Sequence, residues 1–265
     1  MSAGHTYDHA WSDERVRLAG LESALDAGTR EHLIRLGVGP GSRCIEIGAG
    51  AGGVAFWLAE RVAPDGKVIA TDLETDFLEV EAAAYPTLEA LRHDITAEDL
   101  PTGFDLVHAR WMVNWLPDER QAQRRMMAAL RPGGILLDEE PDFVTIHEAA
   151  EPPELRKVMR AVTLHLEAIC PVNCEYGRHL LDDLISVGLT DTDAEARCAV
   201  VRGGSPAAAD FLALSAEKLK PALLADYDVT EAEYSAAIAA LEDPAATIMM
   251  PMTVAVWGRK PSPSP

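Results

Sequence analysis

The chain has 265 residues, of which 48% are hydrophobic and 25% are charged, a composition typical of globular proteins. Acidic residues outnumber basic residues 43 to 23 and the formal net charge is −20, which argues against a nucleic acid or an anionic membrane as partner. No apolar run has the length of a membrane span and no signal peptide is evident, so we expect a cytoplasmic protein.

The first predicted elements are a helical region and a strand that ends in a glycine-rich turn. Leucines recur at helical intervals over residues 1 to about 40, until Gly37-Val38-Gly39-Pro40-Gly41 breaks the pattern. In Cys44–Gly53, an apolar strand carrying Glu46 passes through alternating glycines into a helix that begins near Val54. Glycine is needed where the backbone approaches a ligand without a Cβ, and the N–H groups of the turn then face that ligand. The sequence therefore predicts a nucleoside-cofactor site here.

The glycine turn by itself leaves the cofactor open. Gly48, Gly50 and Gly53 fit the G-x-G-x-x-G pattern of NAD-binding folds. Glu46, Gly48, Gly50 and Gly52 fit equally well the E-x-G-x-G-x-G pattern of enzymes that bind S-adenosylmethionine (SAM). The turn thus predicts a bound nucleoside but does not choose between the two.

Strands and helices alternate along the following chain. Strands are predicted at 67–72, 88–92, 104–108 and 135–138, and helices at 54–62, 76–84 and 117–130. This alternation predicts a parallel sheet covered by helices on both faces. Later elements are predicted as helices near 155–169, 178–187, 206–224 and 230–242, and as strands near 194–201 and 252–257.

These motifs together resemble the class I SAM-dependent methyltransferases, in the small-molecule branch common in bacterial secondary metabolism and quinone biosynthesis. Besides the glycine turn, the resemblance rests on Asp72 at the end of the second strand, on His93-Asp94-Ile95, and on the turn Arg131-Pro132-Gly133-Gly134 before strand five. An NAD enzyme has no need of the last two motifs. The implied fold is α/β, a Rossmann-like seven-stranded doubly wound sheet with an antiparallel last strand and helical cap insertions.

The resemblance also implies a division of the chain. We expect an N-terminal helical lid (1–40), a SAM-binding core (41–140), a helical cap insertion (141–176), a core continuation (177–201), a second helical insertion (202–246), the final strand (247–260) and a disordered tail (261–265). The apolar face of residues 155–169 is expected to pack on the sheet domain or on a partner subunit.

By resemblance, the residues of the cofactor site have distinct roles. Asp72 would accept the ribose hydroxyls with Leu73 against adenine, and Asp94 would accept the adenine amino group with Ile95 on the ring. Glu46 would lie near the positively charged methionine end, which the backbone after strand four also meets, and the N-terminal aromatics would close over the cofactor. The predicted cofactor-binding residues are Tyr7, Trp11, Glu46, Gly48, Ala49, Gly50, Asp72, Leu73, Asp94, Ile95, Ala109 and Arg110.

Methyl transfer from a sulfonium depends mainly on alignment of the acceptor and exclusion of water, and it needs a base only if the acceptor must lose a proton. The candidate bases are His147 and His165, with Glu139, Glu140 and Asp142 as further carboxylates after strand five. The four cysteines do not form two C-x-x-C pairs, and no acid or cysteine cluster accompanies the histidine pair His5 and His9. No metal site is therefore predicted.

The sequence thus predicts SAM-dependent methylation of a small-molecule acceptor, most simply O-methylation in secondary metabolism, with S-adenosylhomocysteine as the product of the cofactor. Two alternatives stay open. One is a SAM-binding enzyme of this fold that catalyses a cyclisation or rearrangement without transferring the methyl group, and the other is an NAD-dependent oxidoreductase. A small molecule is the expected partner, and a homodimer is left open.

Overall fold

The computed structural model describes residues 10–262 and divides the chain into two compact units. The sheet unit comprises Asp26–Glu140, Tyr176–Ala196 and the chain from Thr253 onward. The helical unit comprises the chain up to Leu25 together with Pro141–Glu175 and Arg197–Met252. Within residues 10–262, no helix combines the length and the apolar character needed to cross a membrane.

The predicted elements occur in the predicted order, and two short elements, Val144–Ala149 and Thr247–Met249, are additional. In chain order the elements are α1 (Glu14–Arg35), β1 (Arg43–Ile47), α2 (Gly53–Val62), β2 (Lys67–Asp72), α3 (Asp76–Ala82), β3 (Leu88–Arg92), β4 (Phe104–Arg110), α4 (Glu119–Ala129), β5 (Leu130–Asp142), α5 (Val144–Ala149), α6 (Pro153–Ile169), α7 (Leu180–Ser186), β6 (Thr190–Arg197), β7 (Val200–Arg202), α8 (Leu214–Asp226), α9 (Glu231–Glu242), β8 (Thr247–Met249) and β9 (Met252–Arg259).

The sheet unit is built on seven strands in the order β3-β2-β1-β4-β5-β9-β6. Neighbouring strands from β3 to β5 are parallel, and β9 is the antiparallel last strand. The chain reverses its direction of winding between β1 and β4, and in open α/β sheets ligands bind at the carboxyl ends of the strands beside such a reversal. The predicted seven-stranded, doubly wound fold is confirmed.

Each face of the sheet has its own apolar core, because successive strand residues point to opposite sides. On one face, the buried residues include Leu33 of α1, Cys44, Leu58, Leu106 and Leu137. On the other face, they include Ile45, Phe104, Val107, Met126 of α4 and Leu136. The same alternation continues to the carboxyl ends of the strands. Glu46, His108 and Glu139 therefore lie on one face, and Asp138 and Glu140 lie on the other.

The helical unit has its own apolar contacts. The buried face of α6, formed by Leu155, Val158, Met159, Val162 and Leu166, is covered by α8 and α9, two helices that the sequence analysis did not assign as its partners. Its last residue, Ile169, is half exposed.

Two later elements of the helical unit differ from the prediction. The predicted helix over 206–224 is a π-helical segment at Pro206–Ala213 followed by α8, and the wide turn packs against Gly20. A Cβ on that glycine would lie 2.6 Å from the carbonyl oxygen of Pro206, so only glycine fits the contact. The strand predicted near 194–201 is two strands, and the second of them, β7, pairs with β8 in a small antiparallel sheet.

Candidate functional site

The glycine turn between β1 and α2 is held by hydrogen bonds to β2. Gly48, Gly50 and Gly52 have φ angles of +69°, +56° and +96°, a region that side chains rarely adopt. The N–H of Ala49 donates to the carbonyl of Thr71 at 2.9 Å, so the turn is joined to the last residues of β2. The first turn of α2, whose N–H groups have no partners within the helix, therefore begins at the carboxyl edge of the sheet.

Asp72 ends β2 and fixes the same turn from the opposite side. Its Oδ2 accepts the N–H of Gly50 at 2.9 Å, and its Oδ1 accepts the N–H of Glu74 at 3.2 Å. A carboxylate has about four acceptor positions, so both oxygens can still receive hydroxyl groups from a ligand. Leu73 follows with 40% of its surface exposed. The pair offers a charged acceptor beside an accessible apolar side chain.

The next strand end repeats this arrangement at Asp94. One oxygen of Asp94 accepts the backbone N–H and the hydroxyl of Thr96, at 2.8 and 2.6 Å. The bond from the Thr96 hydroxyl is the main reason that the pKa of Asp94 is lowered, and the group stays ionised. Ile95 beside it is buried in the core of the sheet unit, so its side chain supports this edge from below.

The end of β4 is tied to α1. Arg110 donates to Asp26 Oδ1 at 2.8 Å and to Thr29 Oγ1 at 2.9 Å, while Ala109 before it is fully buried. Both partners of the guanidinium lie on the half of α1 that belongs to the sheet unit. Arg110 therefore anchors the backbone at this strand end.

A buried row of charged groups crosses one face of the sheet next to the glycine turn. Glu46 of β1 lies directly opposite His108 of β4, and its Oε1 is 3.6 Å from Nδ1 of the imidazole. Nε2 of His108 lies 3.3 Å from Oε2 of Glu139 in β5. Glu139 also contacts Nδ1 of His32 at 2.8 Å and accepts the hydroxyl of Thr29.

The charge states of this row follow from burial and proximity. Burial by itself lowers the pKa of His108, but the hydrogen bond to Glu139 and the charges of Glu139 and Glu46 outweigh it and raise that pKa to about 9. Burial would raise the pKa of Glu139, but His108 and His32 hold it far below its usual range. His108 is therefore an imidazolium between two carboxylates at neutral pH. Oε2 of Glu46 is buried and has no hydrogen-bond partner in the described part of the chain.

A second acidic cluster lies on the other face of the same strand ends. Both oxygens of Glu140 accept backbone N–H groups, from Met112 and Val113 at 3.2 and 2.9 Å and from Asn114 at 3.1 Å. Asp138, two residues earlier on the same face, accepts the amide of Gln123 at 3.2 Å. Both acids are fully buried, and burial raises the pKa of Asp138 to about 7 and that of Glu140 well above its usual range. The pair therefore retains a proton near neutral pH.

The two predicted bases lie in the helical unit. His147 of α5 is half-buried, and its Nε2 lies 3.0 Å from the hydroxyl oxygen of Thr163. Burial and the nearby Arg160 lower its pKa, so the imidazole is neutral and able to accept a proton. The ring of His165 on α6 meets the ring of Tyr227 edge-on at 5.7 Å, which is a packing contact.

Of the two predicted N-terminal aromatic residues, only Trp11 lies among the described residues. Trp11 belongs to the helical unit, where Nζ of Lys218 lies 4.8 Å from the centre of its ring. Tyr7 lies outside the described residues. All other predicted cofactor residues belong to the sheet unit and end or follow strands β1 to β4.

The residues that contact one another across the ends of β1, β4 and β5 were not predicted from the sequence. His108 is the most informative of them, because a histidine inside the otherwise apolar strand Phe104–Ala109 needs a buried polar partner. Glu139, Glu140 and Asp142 were expected as further candidate bases just past strand five. That placement was wrong, because β5 continues through all three, and Glu139 and Glu140 are bound to other groups.

The comparisons with known proteins agree with this arrangement. A family model described as a methyltransferase domain matches residues 45–136, which run from β1 to β5. A trans-aconitate 2-methyltransferase of Rhizobium leguminosarum bv. trifolii is 26% identical over 230 residues, covering 82% of this chain and 84% of the relative. One from Azoarcus sp. is 28% identical over 131 residues, covering 49% of this chain and 47% of the relative. The chain thus spans about half the length of several of the curated relatives that it matches.

A solved structure supports the fold. The phosphoethanolamine N-methyltransferase 2 of Haemonchus contortus, in complex with phosphomonomethylethanolamine and S-adenosylhomocysteine, superposes with a TM-score of 0.62 at 17% identity. The alignment covers 99% of this chain and 61% of that protein. At this level of identity the likeness concerns the fold alone.

Proposed function

We propose that this chain, which belongs to the class I SAM-dependent methyltransferases, binds SAM at the carboxyl edge of its sheet and transfers the methyl group to a carboxylate oxygen of a small organic acid. The observation that carries the cofactor assignment is the half-buried carboxylate of Asp72. It holds the glycine turn and keeps acceptor positions for two ribose hydroxyls. Membership of this family sets the NAD-dependent alternative aside.

The described residues fit the cofactor part by part. Asp72 would receive the ribose, Leu73 and Asp94 the adenine, and the unpartnered oxygen of Glu46 the cationic methionine end. SAM supplies an electrophilic methyl group on a sulfonium. The contributions of the chain are then to hold that cation, to align the acceptor behind the methyl group and to keep water away.

The choice of a carboxylate acceptor rests on two observations. The curated relatives reported above are named as trans-aconitate 2-methyltransferases, one of them matched over most of its length. A carboxylate is already ionised at neutral pH, so its methylation needs no general base. This suits a chain in which Glu139 and Glu140, two acids of β5, are buried and bound to other groups. A role in secondary metabolism remains a prediction from the sequence.

The test separates the cofactor from the acceptor. Calorimetry with S-adenosylhomocysteine and with NAD measures which nucleoside binds; NAD binding alone would contradict the proposal. Incubation with SAM and a panel of mono-, di- and tricarboxylates, trans-aconitate included, is followed by mass spectrometry. A mass gain of one methylene on a carboxylate, lost on ester hydrolysis, is expected. Transfer only to phenols or amines would overturn the acceptor class, and a rearranged product without mass gain would favour the non-methylating alternative.

A further inference from the structure

Resting on the proposed function, we propose that His108 is a positioning residue for cofactor binding. Its charge holds the carboxylate of Glu46 in place, so that the oxygen without a partner can receive the ammonium group of the cofactor's methionine part. This role depends on the two residues lying opposite one another on β1 and β4.

One oxygen of Glu46 faces His108, and the other has no hydrogen-bond partner among residues 10–262. Oε1 faces Nδ1 of His108 at 3.6 Å, a distance at which charges attract without a formed hydrogen bond. Oε2 is buried, and no donor in residues 10–262 reaches it. Only 5% of Glu46 is exposed, so water does little to stabilise its charge. A buried carboxylate needs a cation beside it to offset the cost of burying its charge, and the imidazolium of His108 is that cation.

The charge of His108 is secured by the next strand. Its other ring nitrogen faces Glu139 at 3.3 Å, and Glu139 is in turn held by Thr29 and His32 of α1. The charged groups that face His108 are therefore Glu46 from β1 and Glu139 from β5. Arg110 of β4 interacts electrostatically with Glu139, and the imidazolium in turn interacts with Asp138 on the opposite face of the sheet. Two carboxylates against one cation favour the imidazolium over the neutral ring.

The charge count leaves room for one further cation. Glu46, His108 and Glu139 together carry a net charge of −1 when the imidazole is protonated, and the unpartnered oxygen belongs to the member that is next to the glycine turn. A single ammonium at Oε2 would neutralise the row. A ligand that has the same adenosine but no ammonium would make no contact with this oxygen and would gain no affinity from it.

The experiment compares two ligands that differ in this group. S-Adenosylhomocysteine has the amino-acid part, and methylthioadenosine lacks it. In His108→Asn at neutral pH we expect affinity for S-adenosylhomocysteine to fall about tenfold, the loss of one hydrogen bond to a charged group, while affinity for methylthioadenosine stays unchanged.

A second variant and a control complete the test. Glu139→Gln keeps the shape of the row but removes the charge that holds His108 protonated, so a smaller loss confined to S-adenosylhomocysteine is expected. It decides the question if His108→Asn does not fold. The control His179→Asn changes an exposed histidine at the start of α7 and should alter neither affinity. Equal losses for both ligands would show that His108 only packs in the sheet and would overturn the inference. Failure of the unaltered protein to bind either ligand would instead overturn the proposed function.

Discussion

Met112 lies against the backbone of Gly48 so closely that a Cβ on that glycine would be 2.3 Å from Cγ of Met112. The φ angle of Gly48, +69°, also lies in the region where side chains are strained. Gly48→Ala therefore adds a steric clash to backbone strain. We expect it to lower the free energy of unfolding by about 2–4 kcal/mol, measured by denaturant titration, and to weaken binding of S-adenosylhomocysteine.

Gly37→Ala is the matched control for this change. Gly37 has a φ of +87°, but a Cβ there would meet nothing within 4 Å, so this variant measures strain alone, about 1–2 kcal/mol. Adding Met112→Ala to Gly48→Ala should recover part of the excess loss. If Gly48→Ala and Gly37→Ala cost the same, the contact with Met112 has no energetic weight.

Asp72→Ala tests the ribose contact. The change removes the charged acceptor of two ribose hydroxyls and also the bond to the N–H of Gly50, at 2.9 Å. Affinity for S-adenosylhomocysteine, measured by calorimetry, should fall about tenfold or more, given roughly 1.5–3 kcal/mol for a bond to a charged group. Asp65→Ala, at an exposed turn residue before β2, is the control and should leave affinity unchanged. Equal affinities in all three proteins would remove Asp72 from the site.

The positions of the proposed cofactor residues could be predicted from the sequence because their signals are local. Glu46, the glycines, Asp72 and Asp94 each stand at the end of a strand whose apolar pattern is plain, and parallel strands bring their carboxyl ends to one edge. The strand bounds at 67–72 and 88–92 agree with β2 and β3 to the residue.

The buried charge row could not be predicted in the same way. His32 and Glu139 are in contact but stand 107 residues apart in the chain, and no periodicity links them. The segment Asp138-Glu139-Glu140 has no apolar alternation, so it resembles a charged loop, although β5 continues through it. Its acids are strand residues because histidine, amide and backbone donors from other elements satisfy them.

Of the two buried acids Asp138 and Glu140, Glu140 should be the more costly to remove. Glu140→Ala leaves the backbone N–H groups of Met112, Val113 and Asn114 without the acceptor that each has now. At about 1–3 kcal/mol for each buried donor left without a partner, we expect a loss of about 3 kcal/mol or more in the free energy of unfolding. Glu140→Gln keeps an acceptor oxygen and places no charge beside Asp138, so its loss should be smaller. A Gln variant as unstable as the Ala variant would contradict the role of these bonds.

The net charge of −20 should make the affinity for an anionic acceptor depend on salt. An acidic surface repels di- and tricarboxylates, and added salt screens that repulsion as the Debye length falls from about 30 Å at 0.01 M to about 8 Å at 0.15 M. The KM for such an acceptor should therefore fall over this range. SAM carries a net positive charge, so its KM is an internal control that should rise or stay constant. An acceptor KM that rises with salt would show that cations local to the acceptor site dominate.

His108 should make the protein less stable as the pH rises above neutrality. Its pKa is about 9 in the folded protein against 6.5 in the unfolded chain, so its contribution is fully present below 6.5 and is lost as the pH rises through 9. The difference corresponds to roughly 3 kcal/mol at low pH. The raised pKa of Asp138, about 7, changes stability in the same direction, but mainly below pH 7. Glu140, whose pKa is also raised, acts in the same direction, so the comparison of two variants between pH 7 and 9 isolates His108. The slope should be shallower in His108→Asn than in His179→Asn, and equal slopes would show that the imidazole is not charged in the folded protein.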